Sequence, residues 1–345
     1  FSVAKRRSLL SCITSGYRAL SRISNINNKY KMAVFCIIAV AVIIPVTAVI
    51  FFTSGPSGTI KTAYTQAGEK IKLAQAELAK SNERGARTLL MGALSQVAGI
   101  DNQKAVSVGQ QAEAQLDTLD KISDQQPLVA FDFSALPSTS VTGIAMSDKG
   151  IVTTTLTAIG IASEQGISSP LAKNIVEKYI FGTKTGAVLF DGNALLNLYS
   201  AEKNKIWDST LENMRTTTAT ALYGGNLYTL SDGIVYKYAD AATGSVKRES
   251  WGPVEGNVTS ITVDGNLYTL TKDGLLGVYF KGKKTGSLPL SLIPSEKSFL
   301  VPTPGSDSLY LADPTTKKIY AINKSSGAIV TAYKFTAINN IQSVA

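Results

Sequence analysis

Four aspartates recur along the second half of the chain. They are Asp148, Asp191, Asp232 and Asp273, and the last three are each followed directly by glycine at a spacing of 41. Two carboxylates set a few ångströms apart can act as general acid and as base or nucleophile in glycan hydrolysis, so these residues are the first candidates for chemistry. Asp-Gly is also a preferred tight-turn dipeptide, because glycine takes positive φ without strain and Asp tolerates it. Regular recurrence favours the turn. A catalytic pair would stand off the repeat, and no conspicuous off-repeat acidic pair is found.

Other site types are excluded by composition. The chain has no histidine, so it holds no Ser-His-Asp or Cys-His unit and no His-ligated zinc or haem. Two cysteines, Cys12 and Cys36, cannot build a Cys-rich metal site or a disulfide scaffold. Lys281, Lys283 and Lys284 form a small basic run that reads as a solvated turn, with anion binding as the alternative. Tyr228, Tyr236, Tyr238, Tyr268, Tyr279, Tyr310 and Tyr320 recur in register, which suits packing between repeated units better than an aromatic ligand cluster. The sequence therefore assigns no catalytic, cofactor-binding or metal-ligating residue, no cofactor, and no enzyme activity.

The elements that would position such residues divide the 345-residue chain unevenly by charge. Residues 1–31 carry seven basic residues and no acid (Lys5, Arg6, Arg7, Arg18, Arg22, Lys29 and Lys31), out of a net charge of +9. Leu9, Ile13, Tyr17 and Leu20 share one helical sector and Arg7, Arg18 and Arg22 face away, a basic amphipathic pattern suited to anionic inner-leaflet lipids. Residues 32–52 are uncharged, long enough for a helix to cross a bilayer core of about 30 Å. The positive-inside rule then places the N-terminus in the cytoplasm and everything after residue 52 outside it, as a single-pass protein of the plasma membrane. Because the lipid bilayer accounts for the charge, nucleic acid is not expected as a partner.

A Gly/Pro/Ser linker follows at 53–58. Three helical stripes come next over 59–124: Ile60, Tyr64, Ala67, Ile71, Ala74 and Leu78; then Ala86, Leu89, Leu90, Ala93, Leu94 and Val97; then Ala105, Val108, Ala112, Leu116, Leu119 and Ile122. Lys80-Ser81-Asn82 and Gly99 break them, and Asp101 is placed to cap the third. Short breaks make antiparallel neighbours, a helical hairpin or three-helix unit, whose Ala-rich stripes permit close approach. Its expected use is as a spacer, with a peptide-binding groove as the minority reading.

From 128 to 345 the texture becomes strand and turn. Gly-Asn-Leu-Tyr-Thr-Leu stands at 225–230 and again at 265–270. Asp-Gly turns follow both copies, and stepping back finds Asp191-Gly192 and Asp148-Lys149-Gly150; stepping forward reaches Thr315-Thr316. A second turn closes the later units at Thr243-Gly244, Thr285-Gly286 and Ser326-Gly327. Each unit reads as a four-stranded antiparallel blade of about 41 residues, giving about five blades. Segment 155–181 fits least well, since Leu171 to Phe181 suits either strand or short helix.

Ala239-Asp240-Ala241-Ala242-Thr243-Gly244 followed by Trp251 resembles the repeat of quinoprotein-type (PQQ-like) β-propellers, with WD40-like blades; residues 321–327 are a weaker copy without the Trp. The resemblance implies a propeller fold. Enzymes of that family carry a quinone cofactor with calcium, and neither an acidic cluster nor external cysteines match that here. What carries over is the noncatalytic scaffold role.

The expected whole is membrane-anchored and multidomain: one transmembrane helix, a small helical unit, then an all-β propeller. Its expected function is a bacterial, extracytoplasmic binding, scaffold or sensor module for a protein, peptide or cell-wall ligand. Because the chain opens on Phe1, a kinase or phosphatase domain is expected upstream of it. The alternatives are a carboxylate-based glycan hydrolase and a structural part of an envelope complex recruited by edge strands or helices.

Overall fold

The computed structural model describes residues 56–123, 141–155, 158–163, 166–167, 171–172, 178–203, 205–211, 216–243 and 247–335. Three helices come first: α1 (Pro56–Ala79), α2 (Glu83–Val97) and α3 (Gln103–Leu119). Their core is Ala67, Ile71, Ala74, Ala86, Leu90, Ala93, Val97, Ala105, Ala112 and Leu116, with all six alanines fully covered. Small residues at the contact let the helix axes approach, so the stripes read from the sequence are the packed faces. The Asn82 side chain accepts from the Gly85 amide at 3.0 Å and caps α2. The third cap is Asn102, whose side chain accepts from the Lys104 amide, and Asp101 stands one residue too early for that role. Ile122 leaves the helical stripe for a strand.

The expectation of a membrane-spanning helix needs correction. Among the described residues no helix is long and apolar enough to cross a membrane. The longest, α1, spans 24 residues but carries three lysines and two glutamates. The uncharged stretch 32–52 and the basic segment 1–31 lie outside the described residues. The fold is thus a five-bladed propeller preceded by a short helical unit.

The blades follow in chain order. The first holds β2 (Val141–Ser147), β3 (Gly150–Thr155), β4 (Ala158–Ser163) and β5 (Gly166–Ile167), with β6 (Leu171–Ala172) also on β4. The second holds β7 (Tyr179–Thr183), β8 (Gly186–Phe190), β9 (Leu195–Ser200) and β10 (Lys205–Thr210). The third holds β11 (Ala219–Tyr223), β12 (Asn226–Ser231), β13 (Ile234–Ala239) and β14 (Lys247–Pro253). The fourth holds β15 (Val258–Asp264), β16 (Asn266–Thr271), β17 (Leu275–Phe280) and β18 (Lys283–Pro289). The fifth holds β19 (Phe299–Val301), β20 (Ser308–Asp313), β21 (Lys318–Asn323) and β22 (Ile329–Lys334). On its outer edge β1 (Ile122–Ser123), the residue pair leaving α3, runs parallel to β22. Within segment 155–181 the described residues include strands: Leu171 and Ala172 pair with β4, and Tyr179 opens the second blade.

The repeat read from the sequence is out of phase in places. Asp191, Asp232 and Asp273 sit between the second and third strands of their blades, whereas Asp148 sits between the first and second strands of its own. Thr285-Gly286 lies within β18, with Gly286 opposite Val278, and the actual turn is Lys281-Gly282. Both turn residues have positive φ, 47° and 80°, the type I′ geometry that matches strand twist in a two-residue hairpin.

Hydrophobic clusters join neighbouring blades. Val152 and Ile159 meet Ala187, Leu189 and Tyr199; Val188, Phe190 and Leu198 meet Tyr236 and Tyr238; Tyr228 and Val235 meet Val263 and Tyr279; Tyr268 and Leu270 meet Leu309 and Tyr320. Six of the seven in-register tyrosines are buried in these seams, and Tyr310 is half-buried. Backbones also meet there: a Cβ on Gly282 would stand 1.9 Å from the Trp251 carbonyl oxygen of the preceding blade, while one on Gly233 would meet nothing within 4 Å among the described residues. Both glycines have positive φ. Gly233→Ala should cost about 1–2 kcal/mol for the left-handed backbone alone. Gly282→Ala adds an inter-blade clash and should cost about 3 kcal/mol or more. Urea denaturation of the two variants checks this, and equal costs would mean that the third and fourth blades do not touch at this turn.

Candidate functional site

The five innermost strands, β2, β7, β11, β15 and β19, converge on a cavity of about 380 Å³. Its wall carries hydroxyls from Thr142, Thr218, Thr220, Thr259, Ser260 and Thr262, and one charged side chain, Lys178, among the described residues. The buried Thr220 Oγ1 has no hydrogen-bond partner among the described residues. The Lys178 ammonium stands 5.3 Å from the centre of the Tyr179 ring, and Tyr179 stacks on Phe181 and Phe190. The arrangement is rich in hydrogen-bonding groups and nearly uncharged among the described residues, which suits recognition of a polar chain by hydrogen bonds.

The candidate acids are not brought together here. No carboxylate lines this cavity among the described residues. Asp191 Oδ1 accepts from the amides of Asn193, Ala194 and Leu195, and Asp232 takes a positive φ of 50° in its turn. Asp273 accepts from the Thr271 hydroxyl at 2.5 Å, and that bond holds its carboxyl below the usual range. The repeat acids are turn residues. Asp313 plays the same part in the fifth blade, accepting from the Thr315 and Thr316 amides and the Ser295 hydroxyl; its Asp-Pro-Thr-Thr sequence hid it from an Asp-Gly search. The basic run is likewise dispersed. Lys281 is in the turn over the Phe280 ring, and Lys284 pairs with Glu255 at 2.6 Å, which raises the lysine pKa. Among the described residues no cluster of metal-ligating side chains occurs.

The most concentrated electrostatics lie elsewhere, where the helices meet the fourth and fifth blades. Arg87 forms an ion pair through Nη1 with Asp120 and donates from Nε to the Ser291 carbonyl at 3.1 Å. Lys318 bridges Asp120 at 2.6 Å and Asp117 at 2.9 Å. Lys334 bridges Glu113 at 2.6 Å and Asp117 at 3.0 Å. The Arg87, Asp120 and Lys318 side chains are only 5%, 1% and 9% exposed. Arg84 donates to the Asp273 carbonyl at 2.5 Å, and Lys121 donates to the Ile329 carbonyl at 2.9 Å. The helical unit is therefore clamped to the blades through side chains, backbone carbonyls and the β1–β22 bridge. Sequence reading missed this network because Lys318 lies about 200 residues from its acidic partners and no member belongs to a motif.

Burial alone would raise the Asp117 carboxyl, but hydrogen bonds from Lys318 and Lys334 outweigh it and hold the group below its ordinary value. Burial would lower Lys334, but its bonds to Glu113 and Asp117 outweigh that and raise it. A depressed acid contributes stability above its unfolded pKa and loses it as pH falls through the folded pKa; a raised lysine contributes below its unfolded pKa and loses it as pH rises through the folded one. The stability gap between the parent chain and Asp117→Asn at neutral pH should therefore close as pH falls below about 4. Urea midpoints across pH measure it, and a gap that persists undiminished at pH 2 contradicts the pairing.

Fold and site together define a class: a five-bladed β-propeller carrying a clamped three-helix unit. The sequence matches no protein-family model and no curated protein. Similar solved structures include PorZ, an essential bacterial surface component of the type-IX secretion system of Porphyromonas gingivalis. It is 22% identical with a TM-score of 0.41, over 59% of this chain and 28% of that one. Glutaminyl cyclase of Myxococcus xanthus is 16% identical with a TM-score of 0.35, over 57% and 71% of the two chains. Hsv2 of Kluyveromyces lactis is 9% identical with a TM-score of 0.39, over 56% and 62%. This chain thus spans well under half the length of PorZ. At these identities the likeness extends to the fold alone.

Proposed function

We propose that this chain is a noncatalytic binding module that presents its propeller outside the cytoplasmic membrane, as a scaffold or as the sensing part of a receptor-type signalling protein. A protein, peptide or cell-wall ligand would engage the hydroxyl-lined channel. The observation that supports this reading is the clamp: Arg87, Asp120 and Lys318 are buried together between helices and blades, so the helical unit and the propeller move as one body. Such a joint passes a binding event at the blades to whatever precedes the helices. The extracytoplasmic placement and a contact with anionic lipid rest on the seven uncompensated basic residues of segment 1–31. The quinoprotein-like repeat enters as a structural resemblance with no cofactor attached.

Site-specific photo-crosslinking in intact cells tests the channel. A photoreactive side chain at Thr220 or Thr262 should give one discrete adduct that is absent from controls at Lys205 and Lys283 on outer strands. No adduct at the channel, or the same adduct at the outer positions, would overturn the reading.

A further inference from the structure

A second cavity, of about 590 Å³, opens between α2, α3 and the fourth and fifth blades, beside the clamp. Its wall is mostly apolar: Met91 and Leu94 from α2, Leu116 from α3, Ile293 and Pro294 from the segment between β18 and β19, and the Tyr320 ring. Met91 and Ile293 are 46% and 47% exposed, so its rim offers apolar surface to solvent. A volume of some hundreds of Å³ at a junction between structural units, apolar with a few convergent polar groups, is the usual form of a small-molecule site.

The polar groups specify the ligand. Arg84, Arg87, Lys318 and Lys334 line the cavity with Glu113, Asp120 and Asp313, and Asp117 pairs with Lys318 and Lys334 beside it, so the charges of the site balance. Two polar atoms of lining residues, Arg87 Nη2 and Ser291 Oγ, are buried with no hydrogen-bond partner among the described residues. Each unpaired buried donor costs about 1–3 kcal/mol, so an acceptor supplied from outside is favoured there. We propose that this cavity binds a small amphipathic carboxylate, its apolar body against Met91, Leu94 and Ile293 and its carboxylate toward Arg87 and Ser291. The site stands on different residues from the channel and does not depend on what the channel binds. A free acyl chain and the C-terminus of a short apolar peptide share this chemistry.

Calorimetry on the full chain tests it with decanoate and with N-acetyl-Leu-Leu, each against its uncharged counterpart, decanol and the dipeptide amide. At least one carboxylate should bind, with its neutral counterpart weaker by roughly tenfold or more. Met91→Glu, at an exposed position, and Leu94→Trp, which fills the cavity, should each weaken binding by roughly tenfold, with circular dichroism unchanged. Thr262→Trp in the channel should leave it unaltered. Preference for decanoate or for the peptide identifies the source. Absence of binding, equal binding of the neutral counterpart, or indifference to both cavity variants would overturn the proposal.

Discussion

Asp120→Ala should lower the stability of the chain by about 3–5 kcal/mol, among the largest effects of any single substitution in the helical unit. Asp120 is 1% exposed and accepts from Arg87 on one oxygen and Lys318 on the other. Removing it takes a partner from two buried cations and leaves Arg87 with no carboxylate among the described residues. Lys318 keeps Asp117 at 2.9 Å, so most of the penalty falls on Arg87. The cost is that of an uncompensated charge and differs from the net worth of the network. A triple variant, Arg87→Met with Asp120→Leu and Lys318→Met, should therefore recover most of the loss, because apolar groups of similar volume need no partners. Urea denaturation of the single and triple variants separates the two. If the triple variant is no more stable than Asp120→Ala, the loss comes from packing and not from stranded charge.

Tyr279→Ala should cost about 3–5 kcal/mol by opening the seam between the third and fourth blades. The side chain is 2% exposed, packs with Tyr228, Val235 and Val263, and accepts from the Glu255 amide at 2.9 Å through its hydroxyl. Truncation removes the ring and leaves that amide unpaired. Tyr279→Phe keeps the ring and should cost only about 1 kcal/mol, the worth of an ordinary hydrogen bond. A comparison of thermal midpoints checks the ordering. Equal losses for Ala and Phe would assign the effect to the hydroxyl and contradict the packing role.

These residues also show how far the sequence could be read. Helical stripes were legible because each is local: Ala67, Ile71 and Ala74 recur at intervals of three or four and are buried together. Blade count and tyrosine seams were legible because a repeat writes the same local pattern several times. Phase was harder. Asp148 precedes a glycine by two residues and mimics the later turns, yet it joins a different pair of strands, because a turn signal carries no label for which strands it connects. The closing pair Ile122 and Ser123 was hidden, since two residues make no pattern and their partner strand is more than 200 residues away. The clamp was hidden for the same reason: Arg87 and Lys318 look like surface charges on a helix and a strand until the fold brings Asp120 between them.

The central claim is that helices and propeller form one body, and native-state hydrogen exchange tests it most directly. In the full chain, the slowest amides of α2 and α3 should open with the same free energy as those of β20, β21 and β22, and Asp120→Ala should lower both sets together. If the helical amides open at distinctly lower free energy, and the substitution lowers them while leaving the fifth blade unchanged, the helical unit is an independent attachment and the coupling on which the proposed function rests does not exist.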